Sequence, residues 1–156
     1  MTQLKLVMIP YQQQVQKLIL HLYQLLKHLN KVNDKILLGD YTITVTNYQA
    51  QVTPDKYSQP KSGFKYVAVE VLYENNSSST TISYNPYDWN LSDTDGYKYT
   101  SSWSSQKDPS LSSGDINKGS KARGWLTFEV PTTAVNFTIK FTPNMFSDEN
   151  AEIQLY

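Results

Sequence analysis

The chain has 156 residues, 39% of them hydrophobic and 18% charged, with 14 Lys and Arg against 14 Asp and Glu and no cysteine. That length suits one domain of roughly 100 to 150 residues plus an appendage. Balanced charge offers no field to draw in a phosphate backbone, so nucleic acid is not an expected partner, and the lack of cysteine excludes disulfides, thiolate nucleophiles, Cys-ligated zinc and iron–sulfur clusters.

The charge is unevenly placed. Residues 1 to 33 hold Lys5, Lys17, Lys27 and Lys31 and no acid, a charge of +4, which leaves −4 on the remainder. Within this segment Val15, Leu18, Leu22, Leu25, Leu26 and Leu29 recur at helical spacing, and Lys17, Gln24 and Lys27 fall toward another face. The pattern predicts an amphipathic helix over residues 14 to 29. It is too short and too polar to span a bilayer, and it lacks the order of a secretory signal, with cations inside the apolar run and no small-residue cleavage site. Packing on the rest of the protein or on a second copy, peripheral contact with a membrane through residues 14 to 29, and a poorly ordered leader are the alternatives this pattern leaves open.

Past Asp34 the period changes from helical to two. Tyr41, Ile43 and Val45 alternate with Thr42, Thr44 and Thr46, predicting a half-buried strand with a threonine outer face. In FKYVAVEVLYEN, Val67, Val69, Val71 and Tyr73 form the expected inward row of a long central strand. A polar loop from Asn75 to Thr80 precedes ISYNPYDWNLSD, where Trp89 and Leu91 should face the core and Pro86 favours a bulge or an edge. Asp95-Gly96 then supplies the positive φ angles of a two-residue hairpin turn, with YKYTSSW as its return arm. Ser101 to Ser113 shows no strand pattern and is expected to be the longest surface excursion, carrying Trp103. Trp125 should face away from Leu126, Phe128 and Val130, and Phe137, Ile139 and Phe141, then Ile153 and Leu155, complete the alternating set. The fold class expected is all-β, an antiparallel sandwich of immunoglobulin type with seven to eight strands after an N-terminal helix.

Several ordered motifs go beyond periodicity: Gly63 opening its strand, the Asn-rich turn at Asn75, the hairpin from Leu91 to Tyr99, the stretch from Leu111 to Gly119, and Gly124 to Pro131. In this order the chain from about Gly39 to Tyr156 resembles the bacterial domain-of-unknown-function family four-three-five-two. The resemblance implies an immunoglobulin-like sandwich related to mycobacterial secreted immunogenic proteins, carried mostly by lipoproteins and exported proteins of Gram-positive bacteria, without enzymatic activity. Such proteins usually begin with a signal peptide, a lipid-modified cysteine and a Ser/Thr-rich tether, none of which is seen in residues 1 to 38. A cell-surface or extracellular location is therefore expected from the resemblance, with a cytoplasmic one as the alternative.

Candidate chemistry is sparse. The two histidines, His21 and His28, lie in the leader, which excludes a Ser-His-Asp triad or histidine-rich metal site within the sandwich; spaced seven apart, they are read as solvated. Asp93-Thr94-Asp95-Gly96 looks like the start of a calcium loop, but position twelve is Ser104 rather than glutamate, and the turn accounts for the residues. Asp88, Asp93, Asp95, Asp108 and Asp115 could include a glycosidase pair, yet turn carboxylates ordinarily cap backbone amides. Gly114, Gly119 and Gly124 read as turn and bulge residues. Exposed aromatics are the more telling group: Tyr84, Tyr87, Tyr97, Tyr99 and Trp103 can stack on sugars or grip a protein.

The sequence thus divides into a helical leader, residues 1 to 38, and a sandwich, residues 39 to 156. The expected function is a non-enzymatic cell-surface or secreted binding module with Tyr97, Tyr99 and Trp103 as partner-binding candidates, no cofactor, no metal, and a protein or cell-wall glycan as partner. The contrasting readings are an enzyme acting on cell-wall carbohydrate and an intracellular regulator dimerising through the leader helix.

Overall fold

The longest strands form where the alternation is longest. In the computed structural model, which describes residues 10–27, 29–77, 81–143 and 148–156, β3 (Tyr41–Val52), β4 (Phe64–Asn75) and β9 (Lys121–Pro131) pair antiparallel in the order β3-β4-β9. The short β2 (Ile36–Leu38) adds to the outer edge of β3. A second sheet has the order β1-β11-β10-β6-β7, built from β1 (Asn30–Lys31), β6 (Trp89–Ser92), β7 (Lys98–Thr100), β10 (Thr138–Phe141) and β11 (Ala151–Gln154). A two-stranded ribbon of β5 (Thr81–Tyr84) and β8 (Gly114–Asn117) completes the described strands. Helix α1 (Tyr11–Lys27) precedes them all.

The inward rows are those the alternation marks. Val67, Val69, Val71 and Tyr73 of β4, Leu126, Phe128 and Val130 of β9, and Ile43 and Val45 of β3 meet Trp89, Leu91, Ile139, Phe141 and Ile153 from the facing sheet in one core. Two apolar faces thus bury each other, which is what makes a sandwich stable. The ribbon adds Ile82 and Ile116 to the same core. The protein is an all-β sandwich.

Eleven strands are described where seven to eight were expected. The surplus consists of pieces of two to four residues, β1, β2 and β8 among them, too short to display a period. Residues 81 to 92, read as one piece, split at Pro86: Asn85 caps a 3-10 turn, Pro86–Asp88, and β5 and β6 enter different sheets. Pairing of β1 with β11, which is parallel, and of β2 with β3 brings residues 30 to 38 into the sheets, so the sandwich begins ahead of the expected boundary at 38/39. The threonine face of β3 also differs from expectation. Thr42 and Thr44 are buried, because Glu74 and Leu72 stand directly opposite them on β4 and the Asn76 amide reaches the Thr42 hydroxyl. A bulge at Thr46 restores Tyr48 to the inner side.

Residues 1 to 9 of the leader, His28 and the end of the Asn75–Thr80 loop lie outside the described residues.

Candidate functional site

The turn at Asp95-Gly96 is built differently from a two-residue hairpin. Ser92 pairs with Lys98, so five residues connect β6 to β7, and Gly96 has a positive φ of 86° while Asp95 does not. Asp93 organises this turn. Its Oδ1 accepts the backbone N–H groups of Asp95 and Tyr97, each at 3.0 Å, and its Oδ2 accepts the Tyr99 hydroxyl at 2.6 Å. The hydrogen bond from Tyr99, followed by those from the backbone, holds the Asp93 carboxyl below its usual range; burial and the same carboxylate push the Tyr99 phenol up to about 12. Asp93 is thereby occupied as a turn clamp.

This geometry separates the three aromatic candidates. Tyr99 is half-buried, packed edge-on against Phe137 and tied to Asp93. It borders a groove with Lys61, Phe64, Lys98 and Glu129. Tyr97 at the turn is 68% exposed. Trp103 lies elsewhere, 94% exposed on the long loop, and shares a recess of about 190 Å³ with Tyr87, which is 58% exposed.

The loop bearing Trp103 is fastened down. Ser102 N–H donates to Thr127 O at 2.7 Å, Trp125 N–H to Pro109 O at 2.8 Å, and Leu111 N–H to Trp125 O at 2.9 Å, so the loop satisfies the free edge of β9. Farther along, Gln106 N–H donates to the Thr127 hydroxyl and its side chain accepts from Asp55 N–H. The Lys107 ammonium stands 5.0 Å from the centre of the Trp125 ring, which belongs to a small outer cluster with Val52, Tyr66 and Ala68. Gly124 has a specific task here: Leu111 crosses it so closely that a Cβ would meet Leu111 Cα at 2.5 Å. It is a strand-interior residue permitting a backbone crossing, rather than the turn or bulge residue expected.

The recess therefore has an apolar floor of Leu111, Leu126 and Trp125, a rim of Tyr87 and Trp103, and hydroxyls from Ser101, Ser102, Ser105 and Ser110. Among the described residues no charged side chain lines it. The serines were not singled out from sequence, although their clustering between positions 101 and 113 was the available signal.

Asp88 occupies a contrasting environment beside the aromatic cluster of Tyr73, Trp89 and Phe141. Its carboxylate accepts Asn85 N–H at 3.1 Å in a reciprocal cap, and Trp89 Nε1–H donates to the Tyr73 hydroxyl at 2.7 Å. Burial raises the Asp88 carboxyl from 3.8 to about 6, opposed by hydrogen bonds from Asn85 and Tyr73. Among the described residues no three of His, Cys, Asp and Glu group closely enough to hold a metal ion.

Residues 30–152 match the family model described as a domain of unknown function, DUF4352. The chain belongs to that family. The match begins at the first residue of β1 and ends within β11. Among solved structures, the yjhA protein of Bacillus subtilis is 19% identical with a TM-score of 0.65, over 82% of this chain and 100% of that one. A putative lipoprotein, ycdA, of the same species is 17% identical with a TM-score of 0.62, over 76% of this chain and 37% of that one. The secreted protein MPT63 of Mycobacterium tuberculosis is 13% identical with a TM-score of 0.58, over 81% of this chain and 95% of that one. These likenesses establish a shared sandwich fold. No curated protein matches the chain.

Proposed function

We propose that this DUF4352 domain is a non-enzymatic recognition module working at the surface of, or outside, a Gram-positive cell, and that it binds cell-wall glycan across the recess rimmed by Tyr87 and Trp103. The observation that carries the reading is the exposed Trp103 indole on a loop tied at several points to β9. An aromatic ring held in water by an ordered backbone loses little conformational entropy on stacking, which favours binding. The uncharged, serine-lined wall suits a neutral partner rich in hydroxyls. Support for the location comes from two structural neighbours, a putative lipoprotein and a secreted protein.

The test is co-sedimentation with purified peptidoglycan sacculi. Trp103→Ala and Tyr87→Ala should lose retention while melting like the parent protein; equal retention of both variants would remove the recess from consideration. Asp88 favours one competing reading, because a carboxyl near 6 is in the range of a general acid. Release of reducing sugar from the same sacculi, abolished by Asp88→Asn, would replace binding with hydrolysis.

A further inference from the structure

Helix α1 carries an apolar stripe that the sandwich leaves uncovered. At 3.6 residues per turn Val15, Leu18, Leu22 and Leu25 fall along one side, and Leu18, Leu22 and Leu25 are 59%, 49% and 53% exposed. Lys17 and Gln24 lie round the other side, where Leu20 and Tyr23 are also exposed, at 59% and 57%, and Ile19, 53% exposed, lies on the flank between. From Val15 to Leu25 the stripe is about 15 Å long, at 1.5 Å of rise per residue. No helix among the described residues is long and apolar enough to cross a membrane.

Charge chooses among the surfaces that could cover this stripe. The segment up to Asn33 holds four lysines and no acid. Of these only Lys17 and Lys27 belong to α1, so pairing with a second copy of the helix would set +2 against +2, with no carboxylate to form interhelical ion pairs. An anionic phospholipid surface answers both features at once, taking the leucines at the acyl boundary and the lysines among the phosphates. We propose that α1 lies in the interface of an anionic membrane and holds the sandwich beside it. This assignment is independent of what the Trp103 recess binds.

The test is flotation of the full chain with vesicles of phosphatidylcholine alone and of equal parts phosphatidylcholine and phosphatidylglycerol. Binding should require phosphatidylglycerol and fall about tenfold from 0.1 to 1 M salt, as the screening length shrinks from about 10 to about 3 Å. Lys17→Gln should weaken it about fivefold, the equivalent of about 1 kcal/mol per lysine near such a surface. Leu18→Gln with Leu22→Gln should abolish flotation, whereas Leu20→Gln, on the opposite side, should retain it; near-ultraviolet circular dichroism checks that each sandwich is intact. Absence of flotation, or equal loss in Leu20→Gln and in the double variant, overturns the proposal. A concentration-dependent rise in mass that the double variant abolishes, without vesicle binding, overturns it in favour of self-association.

Discussion

Gly124 and Leu111 cross so closely that the missing glycine side chain is part of the fold: Leu111 Cα occupies the space a Cβ would need, 2.5 Å from it. The crossing presses the loop onto the edge of β9 and sets up the hydrogen bonds on either side, from Trp125 N–H to Pro109 O and from Leu111 N–H to Trp125 O. A backbone contact inside a sheet edge therefore determines where the Trp103 loop is held.

Gly124→Ala should consequently act on the loop as well as on the core. Because the opposing atoms are backbone, they cannot turn aside as a flexible side chain could, and a cost of about 1–3 kcal/mol is expected from overpacking. Thermal denaturation measures that loss, and limited proteolysis should show new cleavage between residues 101 and 113. A variant with unchanged melting and an uncut loop would contradict the crossing.

The bond between Tyr99 and Asp93 gives the turn an acid-sensitive clamp. Since the folded Asp93 carboxyl titrates below its ordinary 3.8, its stabilisation is present above that value and lost as the pH falls through the lower, folded one. Tyr99→Phe keeps the ring against Phe137 but removes the hydroxyl, at an expected cost of about 1–2 kcal/mol for a hydrogen bond to a charged acceptor. Denaturant melts at pH 7 and pH 3 should show the difference between parent and variant shrinking in acid.

These residues also show what the sequence made legible. The inward rows of β4 and β9 were readable because each strand is long enough to display several alternations, and every inward residue named there is buried in the core. Tyr99 was readable as an aromatic but not as a partner of Asp93, since the pairing depends on a five-residue turn whose geometry the Asp-Gly pair does not specify. Gly124 was misread for a related reason: a glycine required by a distant backbone has the same local signature as one required by a turn. Trp103 was located on the right loop because that loop lacks any period, but the serines beside it become a wall only once the chain folds back onto β9.

Thr44 offers a stabilising substitution. Its hydroxyl is buried and has no hydrogen-bond partner among the described residues, because an outer strand face that should be wet is crowded by the residues opposite. Thr44→Val replaces that hydroxyl with a methyl of nearly the same shape and retains the branching suited to a strand. A gain of about 1 kcal/mol is expected from removing an unsatisfied buried polar group, seen as a higher denaturation midpoint with an unchanged slope. A lower midpoint would mean that the hydroxyl is hydrated.

Asp88 should give the sandwich a pH response opposite in sign to that of Asp93. Its carboxyl is raised from 3.8 to about 6 in the folded protein, so the folded state binds the proton more tightly than the unfolded chain does. The contribution of the neutral carboxyl is full below about 3.8 and is lost as the pH rises through about 6, beyond which a charged group must sit beside Tyr73 and Trp89. Asparagine cannot ionise, yet its carbonyl oxygen can still accept Asn85 N–H and preserve the cap on the 3-10 turn. Asp88→Asn should therefore match the parent near pH 4, diverge upward between pH 4 and pH 6, and melt at a higher temperature at pH 7. Parallel melting curves for the two proteins across that range would show that Asp88 is better solvated than its position implies.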